Sequence, residues 1–166
     1  MKLASIIVSG RRQVAVICTD AQQAWPVESL IGRPVDNTIS LNDVTARDLQ
    51  HRHKQWFIAK SVDTFCPMGP WLVTADAVDP HNMELRCWVN SELRQQANTK
   101  DMIFDIQTLI ATVSGEPYAG SGRCHRHRTP AGVGIGFAPP KYLRPGDEVA
   151  IEITGLGRLT NRVARR

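Results

Sequence analysis

Aromatic side chains are scarce in this chain: phenylalanine, tryptophan and tyrosine together make up 6% of 166 residues. A protein that binds nucleic acid commonly couples its basic charge to stacking rings or to a recognisable motif. Neither accompanies the formal charge of +4, so no nucleic-acid partner is expected. Long apolar runs are missing as well. The longest, Met102 to Val113, is broken by Asp105 and Gln107 and falls short of the ~20 residues a membrane helix needs; no membrane partner is expected. The apolar start ends at Gly10-Arg11-Arg12, too early for a signal peptide, and reads as a first strand. Cys18, Cys66, Cys87 and Cys124 form no Cys-x-x-Cys pair. They read as reduced, mostly buried thiols of a cytoplasmic protein. No internal repeat is visible.

What is present is a β-rich pattern with few helices, in a chain long enough for one domain. Residues 3–8 and 13–18 read as two strands joined by a turn at Ser9 to Arg12. Residues 24–35, with prolines at 26 and 34, read as irregular, and Thr38 to Leu41 as a short strand. Thr45 is the expected cap of a helix running to about His53, with Asp48 as its capping-box partner. On that helix Arg47, Gln50 and Lys54 share a face, while Asp43 sits at the strand-to-helix corner. Asp63 to Pro70 reads as a loop, Trp71 to Thr74 as a strand, and Asp79 to Asn82 as a turn. Met83 to Val89 alternates as a strand and turns at Asn90-Ser91 into Glu92 to Gln96. Thr99 is the expected cap of a helix over 101–114, stopped at Gly115, with Ile103, Ile106, Ile110 and Val113 as its core stripe. A glycine-rich loop follows Thr129, and the chain ends in a hairpin over 146–163.

Taken singly, Asp43 is a turn residue and Arg47 and Lys60 are solvated charges. Taken together, the motifs resemble one family. They are Asn42-Asp-Val-Thr-Ala-Arg-Asp-Leu-Gln50, Lys60-Ser-Val-Asp-Thr-Phe-Cys-Pro-Met-Gly-Pro-Trp71, Arg86-Cys-Trp-Val-Asn90, Asp101-Met-Ile-Phe-Asp-Ile106, Thr129-Pro-Ala-Gly-Val-Gly134 and the ending from Gly146 to Gly157. The chain resembles the catalytic C-terminal domain of the fumarylacetoacetate hydrolase family, in particular its acylpyruvase and hydroxyheptadienedioate isomerase-like members. The resemblance implies an α+β, β-dominated fold, a mixed β-roll with few short helices. It divides the chain into residues 1–37, a remnant of N-terminal strands and linker, and a catalytic domain over 38–166 that is aberrant at 116–128.

It also implies a small-molecule 2-oxo or β-diketo acid substrate, Mg2+ or Mn2+ as cofactor, and a homodimer. The reaction would be hydrolysis, decarboxylation or isomerisation through a metal-stabilised enolate. By resemblance Asp43 is a metal ligand, Arg47 and Gln50 contact substrate, Lys60 supports the oxyanion and Thr129 holds a substrate carboxylate. A hard cation that chelates a 2-oxo acid, with lysine and arginine beside it, suits such chemistry.

The chain departs from the family pattern in two places. The family's Glu-x-Glu and His-x-x-Glu stretches are absent: before Asp43 the only acids are Asp20, Glu28 and Asp36, and no histidine precedes His51. Ile31-Gly-Arg-Pro34 resembles a segment that lies just after the Glu-x-Glu, so the block between looks deleted. A catalytically inactive relative is therefore the alternative to a working enzyme. The second departure is Tyr118 to Arg128. Codons permitted for those residues, read from their second base, encode Thr-Leu-Asp-Pro-Gly-Gly-Val-Ile-Ala-Thr, which is the family's motif at this place. A local frameshift restored at Thr129 accounts for it, and the stretch is expected to be poorly ordered and to misplace Thr129. Without Arg123, Arg126 and Arg128 the formal charge falls from +4 to +1. Cys124-His-Arg-His127 lacks a fourth ligand and does not read as a zinc site. Resequencing the gene across codons 116–130 is expected to return codons whose second frame carries the family motif; codons without it would remove the frameshift reading.

Overall fold

The computed structural model describes residues 2–8, 11–18, 23–26, 37–114, 124, 126 and 129–165, with the backbone alone for 2–8, 11–18, 23–26, 37, 113 and 114. Its strands are β1 (Lys2–Val8), β2 (Arg11–Cys18), β3 (Gln23–Pro26), β4 (Asn37–Leu41), β5 (Met68–Thr74), β6 (Glu84–Val89), β7 (Glu92–Asn98), β8 (Glu148–Ile153) and β9 (Gly157–Arg162). The helices are α1 (Arg47–His53), α2 (Trp56–Lys60) and α3 (Ile106–Ser114). One sheet has the order β3-β2-β1-β5-β4 and the other β7-β6-β8-β9. Every pairing among these strands is antiparallel. The expected β-dominated α+β architecture with few short helices is what is found.

The sheets meet where β5 passes β9 and β4 approaches β8. Val73, Met83 and Leu156 form the buried centre of that contact, with Trp71, Val78 and Ile153 packed around them. A second cluster, Cys87, Val149 and Ile151, sits between β6 and β8. Val149, Ala150 and Ile151 are all buried, because β8 lies between two strands and is covered on both faces. The β6–β7 turn has positive φ at both Asn90 and Ser91, the two-residue geometry that matches strand twist.

Several boundaries differ from the sequence reading. Residues 24–26 belong to β3 rather than to irregular chain, and β3 is an edge strand, where a terminal proline costs no ladder bond. β5 begins at Met68, inside the expected loop. Pro70 is accommodated because the register shifts between Ile39 and Leu41 of its neighbour, leaving no pairing demanded of it. The second long helix starts at Ile106, not 101. Asp105 caps it by accepting the Thr108 amide at 2.7 Å, while Thr99 accepts the Met83 amide at 2.8 Å. Residues 99–101 form a 3-10 turn capped by Asn98.

Two members of the expected apolar stripe, Ile103 and Ile110, are not core, Ile106 is half-buried, and the Val113 side chain lies outside the described residues. Ile103 is 91% exposed and Ile110 is also exposed, because no described element covers that side of α3. Nor are the cysteines mostly buried: Cys87 is, Cys66 is half-buried and Cys124 is exposed. The Gly115 stop, the Ser9-Gly10 connection, Cys18's side chain and the 118–128 stretch apart from Cys124 and Arg126 lie outside the described residues.

Asp147 ties the β6–β7 turn to the start of β8. It accepts the Asn90 side-chain amide and the Arg144 backbone amide, each at 2.7 Å, and Asn90 in turn accepts the Glu148 amide at 2.9 Å. The Asn90 amide, with the Arg144 backbone amide behind it, holds the Asp147 carboxyl below the ordinary carboxylate range. A folded pKa below the unfolded value stabilises above the unfolded pKa of about 3.9 and is lost as pH falls through the folded value. Thermal midpoints measured from neutral pH to about pH 2 are therefore expected to fall less steeply below about pH 4 in Asp147→Asn than in the wild type.

Candidate active site

The corner between β4 and α1 is fixed by its backbone. The amides of Asn42, Val44 and Ala46 donate to the carbonyls of Pro67, Phe65 and Ala59 at 3.0, 3.1 and 3.0 Å. Residues 42–46 are thereby laced between the 65–67 segment and α2, and Ala59, fully buried, anchors α2 itself. Lys60, the last residue of α2, reaches back to the same corner. Its ammonium donates to Asp43 Oδ2 at 2.6 Å and to Thr45 Oγ1 at 3.0 Å. Both partners of the ion pair are largely withdrawn from water, with side chains 15–16% exposed.

This contact corrects the expected cap. Thr45 does not cap α1: the N-cap is Ala46, which has no side-chain acceptor, and Thr45 instead accepts from the Lys60 ammonium. A charge-assisted hydrogen bond outcompetes a neutral one to a helix amide.

Arg126 supplies a contact that sequence reasoning did not anticipate. Its guanidinium donates to Asp43 Oδ1 at 2.8 Å, across 83 positions of chain. No local signal in the sequence points to this pair, because only the tertiary fold brings 126 beside 43. Each oxygen of Asp43 thus holds one protein cation.

A second grouping lies on α1. Arg47 Nη1 donates to Gln50 Oε1 at 2.6 Å, one helical turn along the same face. Arg47 and Gln50 line a cleft of about 350 Å³ with His51, Lys54, Trp56 and Ile135. The expected shared face of Arg47, Gln50 and Lys54 is present in that cleft. Lys54 leaves α1 with φ of 53°. Among the described residues no acidic side chain lines the cleft. Among the described residues no hydrogen bond or ion pair joins this grouping to the Asp43 corner.

Thr129 stands apart from both. It is exposed and is not among the cleft residues; Ile135, six positions on, is. The loop between them is held against β7. Gln95 donates its side-chain amide to the Pro130 carbonyl at 2.8 Å, and Arg94 and Lys141 both sit over the Phe137 ring. Gly132 is required here, since its φ is +99° and a Cβ would run into the Arg94 carbonyl.

The residues present do not fit a divalent cation. Among the described residues no group of three or more His, Cys, Asp or Glu side chains could hold a metal. The one carboxylate at the corner is committed to Lys60 and Arg126 on both oxygens. A Mg2+-type ion relies on carboxylate oxygens free to coordinate it.

Comparison with known proteins places this geometry. The family description "Fumarylacetoacetate (FAA) hydrolase C-terminal" matches residues 14–164. The chain belongs to the fumarylacetoacetate hydrolase family. The oxaloacetate tautomerase YisK of Bacillus subtilis is 49% identical over 124 residues, covering 74% of this chain and 41% of that protein. The solved fumarylacetoacetate hydrolase from Exiguobacterium antarcticum superposes with a TM-score of 0.66 at 43% identity, over 76% of this chain and 46% of that one. A 2-hydroxyhepta-2,4-diene-1,7-dioate isomerase from Mycobacterium marinum gives 0.60 at 38% identity, over 76% and 46%. The chain spans about half the length of the curated relatives it matches, between 41% and 57% for the first three. No helix among the described residues is long and apolar enough to cross a membrane.

Replacing Lys60 with alanine removes one counter-ion and leaves Asp43 with Arg126 alone. Loss of one partner of a largely desolvated pair is expected to lower stability by about 1–3 kcal/mol in urea unfolding. A change below about 0.5 kcal/mol would show that solvent already screens the pair.

Proposed function

We propose that this chain binds the carboxylate end of a 2-oxo acid in the Arg47–Gln50 cleft and favours its enolate form, so that any turnover it has is keto–enol isomerisation. The observation that carries the reading is the composition of the cleft: among the described residues Arg47, Gln50, His51 and Lys54 line it and no acidic side chain does. Of the five N–H donors of Arg47, one is engaged by Gln50, and the others are free to pair with a carboxylate in the planar fork that suits it.

Isomerisation is favoured over the family's carbon–carbon hydrolysis because of what each reaction needs. Hydrolysis requires an activated water, hence a positioned base or a metal-bound hydroxide. Keto–enol exchange needs stabilised negative charge on oxygen and a proton acceptor, and among the described residues His51 is the one imidazole lining the cleft. The names of the relatives, a tautomerase and an isomerase, support the same choice. No step is assigned to Mg2+ or Mn2+, because the donor set does not fit one.

The second reading is a ligand-binding relative without turnover. It is favoured by the Asp43 carboxylate being occupied on both oxygens by protein cations and by the absence of the family's Glu-x-Glu and His-x-x-Glu stretches.

Two measurements on the purified chain decide between these readings. Calorimetry with oxalate, a stable mimic of the enolate, is expected to show binding that Arg47→Ala weakens about ten- to a hundredfold, the range for a lost charge-assisted contact. Loss of the ultraviolet absorbance of enol-oxaloacetate is then followed with and without protein. Acceleration supports the isomerase reading, binding without acceleration supports the silent relative, and no oxalate binding at all removes both.

A further inference from the structure

We infer that Asp43 is an internally compensated carboxylate: Lys60 and Arg126 stand where a divalent cation would have to bind, so this chain works without a metal ion at that position. Three observations carry it. The Lys60 ammonium lies 2.6 Å from Oδ2 and the Arg126 guanidinium 2.8 Å from Oδ1, so the carboxylate's charge of −1 already faces +2. A divalent ion bound to either oxygen would sit within a few ångströms of two fixed positive charges, with the carboxylate only 15% exposed and little water to screen the repulsion. Among the described residues Asp43 belongs to no group of three or more His, Cys, Asp or Glu side chains that could share the ion's charge.

The two cations differ in how firmly they are placed. Lys60 is held by Thr45 as well as by Asp43, at the end of a helix pinned by the buried Ala59. Arg126 is the more exposed partner, its side chain 36% accessible against 16% for Lys60. The residual charge of +1 at the corner faces anions, so the same arrangement that repels a metal ion favours an organic acid. Arg126 lies in the 116–128 segment that departs from the family pattern.

The test needs no variant to begin. Paramagnetic resonance of free Mn2+ is recorded while the wild-type chain is added, first alone and then with saturating oxalate. The expected result is no stoichiometric uptake in either case, with any affinity weaker than about 1 mM and equal in Asp43→Asn. Uptake of one Mn2+ per chain that Asp43→Asn abolishes, with or without oxalate, would overturn the inference. A double-mutant cycle of Asp43→Asn and Arg126→Gln in urea reads the pair itself: a non-zero coupling is expected, and zero coupling would equally overturn it. Calorimetry with oxalate in EDTA keeps the two proposals apart. Absence of oxalate binding there counts against the 2-oxo acid reading, whereas the Mn2+ titration of the chain alone bears on the metal only.

Discussion

A carboxylate largely removed from water has to be neutralised, and at Asp43 the neutralising charges come from two distant parts of the chain. Lys60 arrives on α2, fixed by Ala59 and by the backbone lacing of residues 42–46. Arg126 arrives from beyond α3. The corner between β4 and α1 is therefore a place where strand, helix and remote loop are tied to a single acid. Removing the carboxylate would leave the Lys60 and Arg126 charges facing one another in a poorly hydrated site, which costs more than losing an exposed pair would.

The same constraint shapes what the corner does chemically. A free carboxylate there would attract a metal ion; a doubly compensated one leaves net positive charge, which suits an anionic ligand. The Arg47–Gln50 cleft a few residues along has the same sign, with no acid among its described lining residues. The family to which the chain belongs includes relatives named as tautomerase and isomerase, and the anion binding proposed for this chain rests on that shared positive charge.

Hydroxyl groups show where reading the sequence locally goes astray. Thr45 and Thr99 both stand where a helix cap is expected, and neither caps its α-helix. Thr45 accepts from Lys60 and Thr99 accepts from the Met83 amide. Each is drawn into a tertiary contact, and each helix begins later, at Arg47 and Ile106. The apolar stripe near α3 fails in a related way. Its periodicity is real, but burial depends on a covering element, and none of the described elements supplies one for Ile103.

By itself the sequence determined the elements whose signals are short-range. Alternation set β6, the Asn90-Ser91 pair set its turn into β7, and the spacing of Arg47 and Gln50 put both on one helical face, since side-chain direction follows from the local backbone period. The order of motifs was also enough to reveal the family. Tertiary structure alone decided which side chains share a charge. Asp43 and Arg126 are neighbours only because the fold brings Arg126 to the corner between β4 and α1, and electrostatic compensation depends on distance through space rather than along the chain. For the same reason Thr129, in sequence part of a family motif, stands exposed and outside the cleft that Ile135 enters.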